Sequence, residues 1–355
     1  MGVVTVRRWR HVSLVAGVCL AAWLGYFLLL RPGRQRAEQA PTPLPRGRFV
    51  RTVHKDEPGK LNPESWRKTP RVMCLVVTSP QYHHRRASHV KATWGHWGRG
   101  ACPNTVFLTS TQDDTLQNVI LSKFSSYEDL WGKVLDGLLQ VNASEADWFV
   151  KVDDDTFLLY PNLLELLGPL DPAEPLYLGL SLVYRPEGGV THEKGKRQQK
   201  TATSLQEGEE VTYMSGGAGY VLSRAALTRL QASHAPSRCR PPGQTAFEDV
   251  NMGYCMAALG VRAADTRDPL GRVRFLPCSP RRFLQPRPDP DLEWLLNFSK
   301  YEIHLGAESL SDLVVSFHEI RDPLDFYFLQ YLVYDLKPLP PGTSRPFTSS
   351  RIPQQ

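Results

Sequence analysis

Apolar residues fall in two kinds of run along the chain. The first is long and single. Val12 to Leu30 is an uncharged, mostly apolar stretch, about one bilayer's worth of helix, since roughly 17–25 residues suffice to span. A cleaved signal peptide would carry a shorter apolar region of about 7–15 residues before a small-residue cleavage site. Here the apolar sequence continues past Ala21 and Ala22 to Leu30. The pattern predicts an uncleaved signal anchor over 12–30, a cytosolic tail over 1–11 and a stem over 31–70. Arg7, Arg8 and Arg10 precede the span, and Arg31, Arg34 and Arg36 follow it, so flanking charge does not set the orientation. The short N-terminal tail makes a cytosolic N-terminus the default. The stem is rich in Pro, Arg and Lys, a linker composition without a core.

Beyond residue 70 the runs are short and alternate in kind. Val72–Val77 is continuously apolar and stops at Ser79-Pro80, as expected of a strand buried on both faces. Ala87, Val90, Ala92 and Trp94 have helical spacing within 83–95. Thr105–Leu108 reads as a strand and Leu130–Val141 as a helix. Trp148–Val152 is a further strand, running directly into Asp153, Asp154 and Asp155. Asn162–Leu170 is the helix after it. This alternation predicts a parallel sheet in one α/β domain over 71–340, with a flexible tail over 341–355. Residues 186–210 are polar and aperiodic and read as a mobile loop.

Charge changes the picture in one respect. The net charge is +6, which invites a nucleic-acid reading. The segment through Arg71 holds 14 Lys and Arg against 4 acids, so the excess lies in the N-terminal segment and the folded part is mildly acidic. A nucleic-acid binder needs its basic patch on the folded domain, and no nucleic-acid partner is expected. Cys74, Cys102, Cys239, Cys255 and Cys278 lie beyond the span, with no zinc spacing among them. Asn142-Ala-Ser144 and Asn297-Phe-Ser299 are glycosylation sequons, weak support for a lumenal domain.

Four places carry candidate chemistry. Three adjacent carboxylates at Asp153–Asp155 repel one another unless a cation neutralises them, and oxygen ligands suit magnesium or manganese. A solvated turn capping the next helix is the competing reading. The position at a strand end, where ligands gather in α/β sheets, favours metal. Gly216, Gly217 and Gly219 permit close backbone approach to a ligand, or simply a turn. Glu248 and Asp249 open a helix, where an acid is ordinarily just a favourable cap. His318 ends the strand Val314–His318, where a structural role competes with metal ligation.

Taken together, Trp148–Thr156, Tyr213–Ser223 and Glu248-Asp249 resemble the inverting β1,3-glycosyltransferases of the fringe superfamily, and above all the core 1 β1,3-galactosyltransferases. His89–Trp94, Leu313–Glu319 and Tyr331–Lys337 extend the likeness. The resemblance implies a single GT-A type, Rossmann-like domain, a UDP-galactose donor, a manganese ion and a GalNAc-Ser/Thr glycoprotein acceptor in the Golgi. The protein would be type II and single-pass, with its catalytic domain in the lumen. The resemblance also implies the roles. Asp153, Asp155 and His318 would hold the metal, Asp155 as the more direct carboxylate ligand. Asp249 would be the catalytic base. Lys91, Trp94, Lys133 and Asp154 would lie toward the donor, and Tyr213, Gly216, Gly217 and Glu248 toward the acceptor. Cys74–Cys102 and Cys239–Cys255 would be disulfides, leaving Cys278 unpaired. A homodimer and a dedicated chaperone are compatible with it.

The likeness has departures. Glu308–Ser311 replaces a family Cys-Cys pair, Phe275–Cys278 replaces a Phe-His-Pro run, and the 186–210 loop is long. These bear on acceptor choice more than on donor chemistry. A relative with another donor or acceptor is one alternative. A non-catalytic chaperone-like relative is another; against it, the aspartate triplet, Asp249 and His318 are all retained.

Overall fold

A computed structural model describes residues 69–96, 98–185, 210–232, 239, 247–285 and 289–337. The expected tail, anchor, most of the stem and nearly all of the 186–210 loop lie outside the described residues, as does the 341–355 tail. Among the described residues no helix is long and apolar enough to cross a membrane.

Twelve short strands are described: β1 (Val72–Val77), β2 (Thr105–Thr109), β3 (Val119–Leu121), β4 (Trp148–Asp153), β5 (Phe157–Leu158), β6 (Leu176–Gly179), β7 (Ser181–Tyr184), β8 (Val211–Met214), β9 (Tyr220–Ser223), β10 (Arg262–Ala264), β11 (Phe275–Leu276) and β12 (Ser316–Phe317). The helices that matter here are α1 (Leu130–Gln140), α2 (Tyr160–Leu167), α3 (Arg224–Ala232) and α4 (Glu248–Ala258).

Seven strands form the main sheet in the order β10-β6-β9-β4-β1-β2-β3. β1 lies parallel to both β2 and β4. Its six residues are at most 6% exposed, because alternate side chains enter different cores. Val72, Cys74 and Val76 join Trp148, Val150 and Val152 on one face. Met73, Leu75 and Val77 join Phe149, Leu222 and, from α1, Val134 and Leu138 on the other. Burying one such side chain is worth about 1.5–3 kcal/mol, so β1 and β4 anchor the molecule.

The all-parallel expectation is corrected. β9 runs antiparallel between β4 and β6. β9 pairs with β6 as β8 pairs with β7, so β8 and β9 run back together along the consecutive β6 and β7, antiparallel to both. The 83–95 helix exists but is irregular: wide turns at His83–Ala87 and Lys91–Gly95 flank a single α-helical turn, Ser88–Val90. The helix expected over 162–170 is α2, two residues earlier and anchored by Pro161 in its first turn. The strand expected over 314–318 shortens to β12, which pairs parallel to β11 and antiparallel to β5. Cys74 is joined to Cys102 and Cys239 to Cys255, and Cys278 is a buried free thiol.

Candidate active site

β4 delivers the aspartates to the end of the central sheet. The chain turns after Asp153, and Thr156 closes the turn by donating its amide to the Asp153 carbonyl over 3.1 Å. β5 follows at once. Its register with β12 matches Phe157 to Phe317 and Leu158 to Ser316. The next residue after that pair is His318, which therefore arrives beside the triplet from a point more than 160 residues away in the chain. Two-residue strands are enough because the pairing is anchored by Leu158 and Phe317, both buried.

The three side chains converge. His318 Nε2 lies 3.1 Å from Asp155 Oδ1 and 3.9 Å from Asp153 Oδ2. His318 Nδ1 lies 3.1 Å from the Pro277 carbonyl oxygen. A carbonyl only accepts, so Nδ1 carries a proton and Nε2 is the atom turned to the carboxylates. Burial alone would lower the imidazole pKa. The bond to Asp155 and the charges of Asp155 and Asp153 outweigh that and raise it. Asp155 responds in the opposite sense, held low by His318 and Arg86 against the effect of its burial.

Each outer aspartate has one oxygen tied to a cation. Asp153 Oδ1 is 2.7 Å from Lys151 Nζ, and Asp155 Oδ2 is 3.1 Å from Arg86 Nη1. The remaining oxygens face Nε2. One ligand atom from each of Asp153, Asp155 and His318 lies within 4.8 Å of the others. Two carboxylate oxygens and one imidazole nitrogen suit a divalent ion such as manganese, and an imidazole N–H bonded to a backbone carbonyl is the usual outer support of a ligating histidine. The residues present fit the metal that the motif implies.

Asp154 does not share this role. Asp154 lies in the turn after β4, and its carboxylate is directed to Thr78 and Arg86. It is 4% exposed, accepts from the Thr78 hydroxyl over 2.7 Å, and burial pushes its pKa up to about 7. Lys133 is 2% exposed and donates to the Thr78 carbonyl, with burial lowering its pKa. Trp94 is fully buried and its Nε1–H donates to the Thr156 carbonyl over 2.9 Å. These three of the four residues expected toward the donor brace the ends of β1 and β4 through bonds to Thr78 and Thr156. Lys91, the fourth, donates from an exposed position to the Thr115 carbonyl over 2.7 Å.

The other half of the site is the glycine loop and the start of α4. Asp249 Oδ2 accepts from the Gly216 amide, and Oδ1 from the Val250 amide, each over 2.9 Å. Burial raises its pKa, and the Gly216 N–H opposes the rise. Glu248 diverges from it, as neighbours about 100° apart on a helix must. Glu248 is 5% exposed. Its Oε1 accepts from the Tyr220 hydroxyl over 2.7 Å and its Oε2 lies 3.6 Å from Lys151 Nζ. Burial pushes its pKa up to about 7. Glu248 is thus a buried group held between Tyr220 and Lys151. Tyr213 is also buried, packed over Gly253 of α4, and burial with the Asp249 charge raises its phenol pKa.

Gly216 and Gly217 bring the halves together. A Cβ on Gly216 would stand 3.0 Å from Glu248 Oε2, and one on Gly217 would stand 2.5 Å from His318 Nδ1. One glycine lies against the carboxylate pair and the next against the imidazole. Their carbonyls are held too: Gly216 O accepts from Lys151 Nζ over 3.1 Å, and Gly217 O from the Thr156 hydroxyl over 3.0 Å.

Lys151 and Arg86 escaped the sequence reading. The signal for Lys151 was present: it is the one ionisable residue inside Trp148–Val152, a run otherwise apolar. Arg86 had no such signal in its basic segment. Asn142 and Asn297, the sequon residues, are both exposed.

A mixed α/β domain with an aspartate turn at the end of a central strand and a histidine returning to it has the form of a glycosyltransferase. Residues 68–333 match the family described as Fringe-like, and the chain belongs to that family. Among relatives, it is 31% identical over 278 residues to glycoprotein-N-acetylgalactosamine 3-beta-galactosyltransferase 1 of Xenopus laevis, covering 77% of this chain and 69% of that one. It is 26% identical to N-acetyllactosaminide beta-1,3-N-acetylglucosaminyltransferase 4 of Homo sapiens, covering 64% of this chain and 60% of that one. It is 27% identical to the beta-1,3-glucosyltransferase of Homo sapiens, covering 54% of this chain but only 33% of that one.

Proposed function

We propose that this protein transfers galactose from UDP-galactose, in β1,3-linkage with inversion, onto GalNAc-Ser/Thr of glycoproteins. It acts as a manganese-dependent, type II enzyme of the Golgi membrane. The observation that carries the reading is the adjacency of Asp249 and the Asp153–Asp155–His318 cluster across Gly216 and Gly217. The relative sharing most of the chain's length supports the donor and acceptor, since its name specifies galactose and N-acetylgalactosamine.

The roles follow from placement. A divalent cation held by Asp153, Asp155 and His318 would neutralise the donor diphosphate and make UDP a better leaving group. Asp249 takes the proton of the acceptor 3-hydroxyl as its oxygen attacks the anomeric carbon. The bond from that carbon to the UDP oxygen breaks as the new one forms, so an α-donor gives a β-product. The Gly216 N–H aims one Asp249 oxygen and favours the ionised base. Arg86 and Lys151 hold the outer oxygens of Asp155 and Asp153 away from exchange with water.

The test is a transfer assay on the purified full-length protein with a GalNAc-peptide and manganese. UDP-galactose should be used and UDP-N-acetylglucosamine and UDP-glucose should not, a panel chosen because relatives named for those sugars match this chain. Preference for either alternative donor would replace the galactose reading. Absence of transfer from all three would reject GalNAc-Ser/Thr as the acceptor.

A further inference from the structure

Lys151 has no role in the chemistry just described beyond its bond to Asp153, yet it has the most unusual environment in the domain. Its side chain is 1% exposed in the middle of the central strand. Its ammonium has three partners on three different segments: Asp153 Oδ1 at 2.7 Å, the Gly216 carbonyl at 3.1 Å and Glu248 Oε2 at 3.6 Å. The first two lie within hydrogen-bond distance, and the third is an ion pair at longer range. Two of these contacts lead to opposite halves of the site. Asp153 belongs to the metal cluster. Gly216 is the residue whose own amide holds Asp249 Oδ2 at 2.9 Å.

We propose that Lys151 is a positioning residue that sets both halves at once, turning the free oxygen of Asp153 toward His318 and fixing the glycine that aims Asp249. The inference rests on the metal and base roles proposed above. Arg86 is its counterpart on Asp155, but Arg86 reaches only the Asp154 and Asp155 side. Lys151 alone among the described cations contacts both Asp153 and the loop that carries the base contact.

A plainer role is that Lys151 merely balances the buried charge of Glu248. Two variants separate the two. Lys151→Arg keeps the charge but replaces a compact point with a planar fork that cannot reproduce three divergent contacts. Lys151→Met with Glu248→Gln removes both charges together, which relieves the cost of leaving one buried and unpaired, while Gln keeps an acceptor for Tyr220. Manganese affinity of the purified full-length protein is read by electron paramagnetic resonance of the free ion. Transfer is read as kcat and KM separately, with melting temperature as the check on folding.

If Lys151 positions, both variants lose about 10–100-fold in manganese affinity, the usual range for outer supports of a metal site. Both also lose kcat at saturating manganese, because the Asp249 half is disturbed as well. The double variant melts near the wild type yet stays impaired. Wild-type manganese affinity and kcat in either variant would overturn the proposal. Manganese binding without galactose transfer by the wild type, with affinity lost in both variants, would sink the proposed function and leave Lys151's metal-side role standing. Normal transfer with unaltered affinity in both variants would do the reverse.

Discussion

Glu248 and Asp249 are neighbours in the chain with different fates. Asp249 keeps one oxygen on the Gly216 amide and is the group proposed above as the base. Asp249→Asn preserves shape but cannot accept it. Transfer should fall by at least about 10²-fold, the low end for loss of a general base, while manganese affinity stays as in the wild type. A near-normal rate would show that another group is the base. Glu248 sits between Tyr220 and Lys151, and burial raises its pKa from 4.5 to about 7. A group raised on folding binds its proton more tightly in the native state, so its stabilisation is complete below about 4.5 and is lost as pH rises through 7. Glu248→Gln removes this dependence. Melting temperatures followed from pH 5 to 8 should fall less steeply in Glu248→Gln than in the wild type. A steeper fall would contradict the sign.

At the scale of elements, the strongly patterned segments were legible in the sequence and the site's closure was not. β1 and β4 showed themselves as apolar runs because they are buried on both faces, and α1 and α4 by their spacing and ends. The turn at Asp153–Asp155 was legible because it follows β4 directly. The reversal of β9 and the β5–β12 pairing were not, since strands of two to four residues carry too little pattern to reveal direction or partner. The burial of Asp154 and Glu248 was not legible for a related reason: a motif gives residue identity, while the face each side chain takes depends on the local turn of the chain. One element-scale expectation follows from the bond between Cys74 of β1 and Cys102 just before β2, which are 28 residues apart. A loop of that size implies about 3–4 kcal/mol in the chain-entropy account. Cys74→Ala with Cys102→Ala should lower denaturant stability by that order, measured on the full chain. An unchanged midpoint would mean that the unfolded chain is restrained by other means.

For the whole molecule, the proposed metal site of Asp153, Asp155 and His318 joins segments that are distant in sequence, so occupancy should stabilise the fold as a unit. A ligand binding only the native state at 100 times its Kd adds about 2.7 kcal/mol. Manganese should therefore raise the melting temperature of the wild type, and chelation should reverse the rise and abolish transfer. Asp155→Ala should stay folded in metal-free buffer yet show no rise, because one of three ligands is gone. A full manganese shift in Asp155→Ala would place the ion elsewhere.

The paired glycines have a consequence for heredity. Every other encoded amino acid carries at least a Cβ, so no missense change at codon 217 is conservative in space: each puts an atom 2.5 Å from the His318 ring nitrogen Nδ1. Codon 216 is nearly as constrained, with Glu248 Oε2 at 3.0 Å. Even alanine at 217 requires the imidazole to move, and alanine at 216 requires the Glu248 carboxylate to give way. A missense change at either codon would therefore press directly on the candidate site rather than on the hydrophobic core.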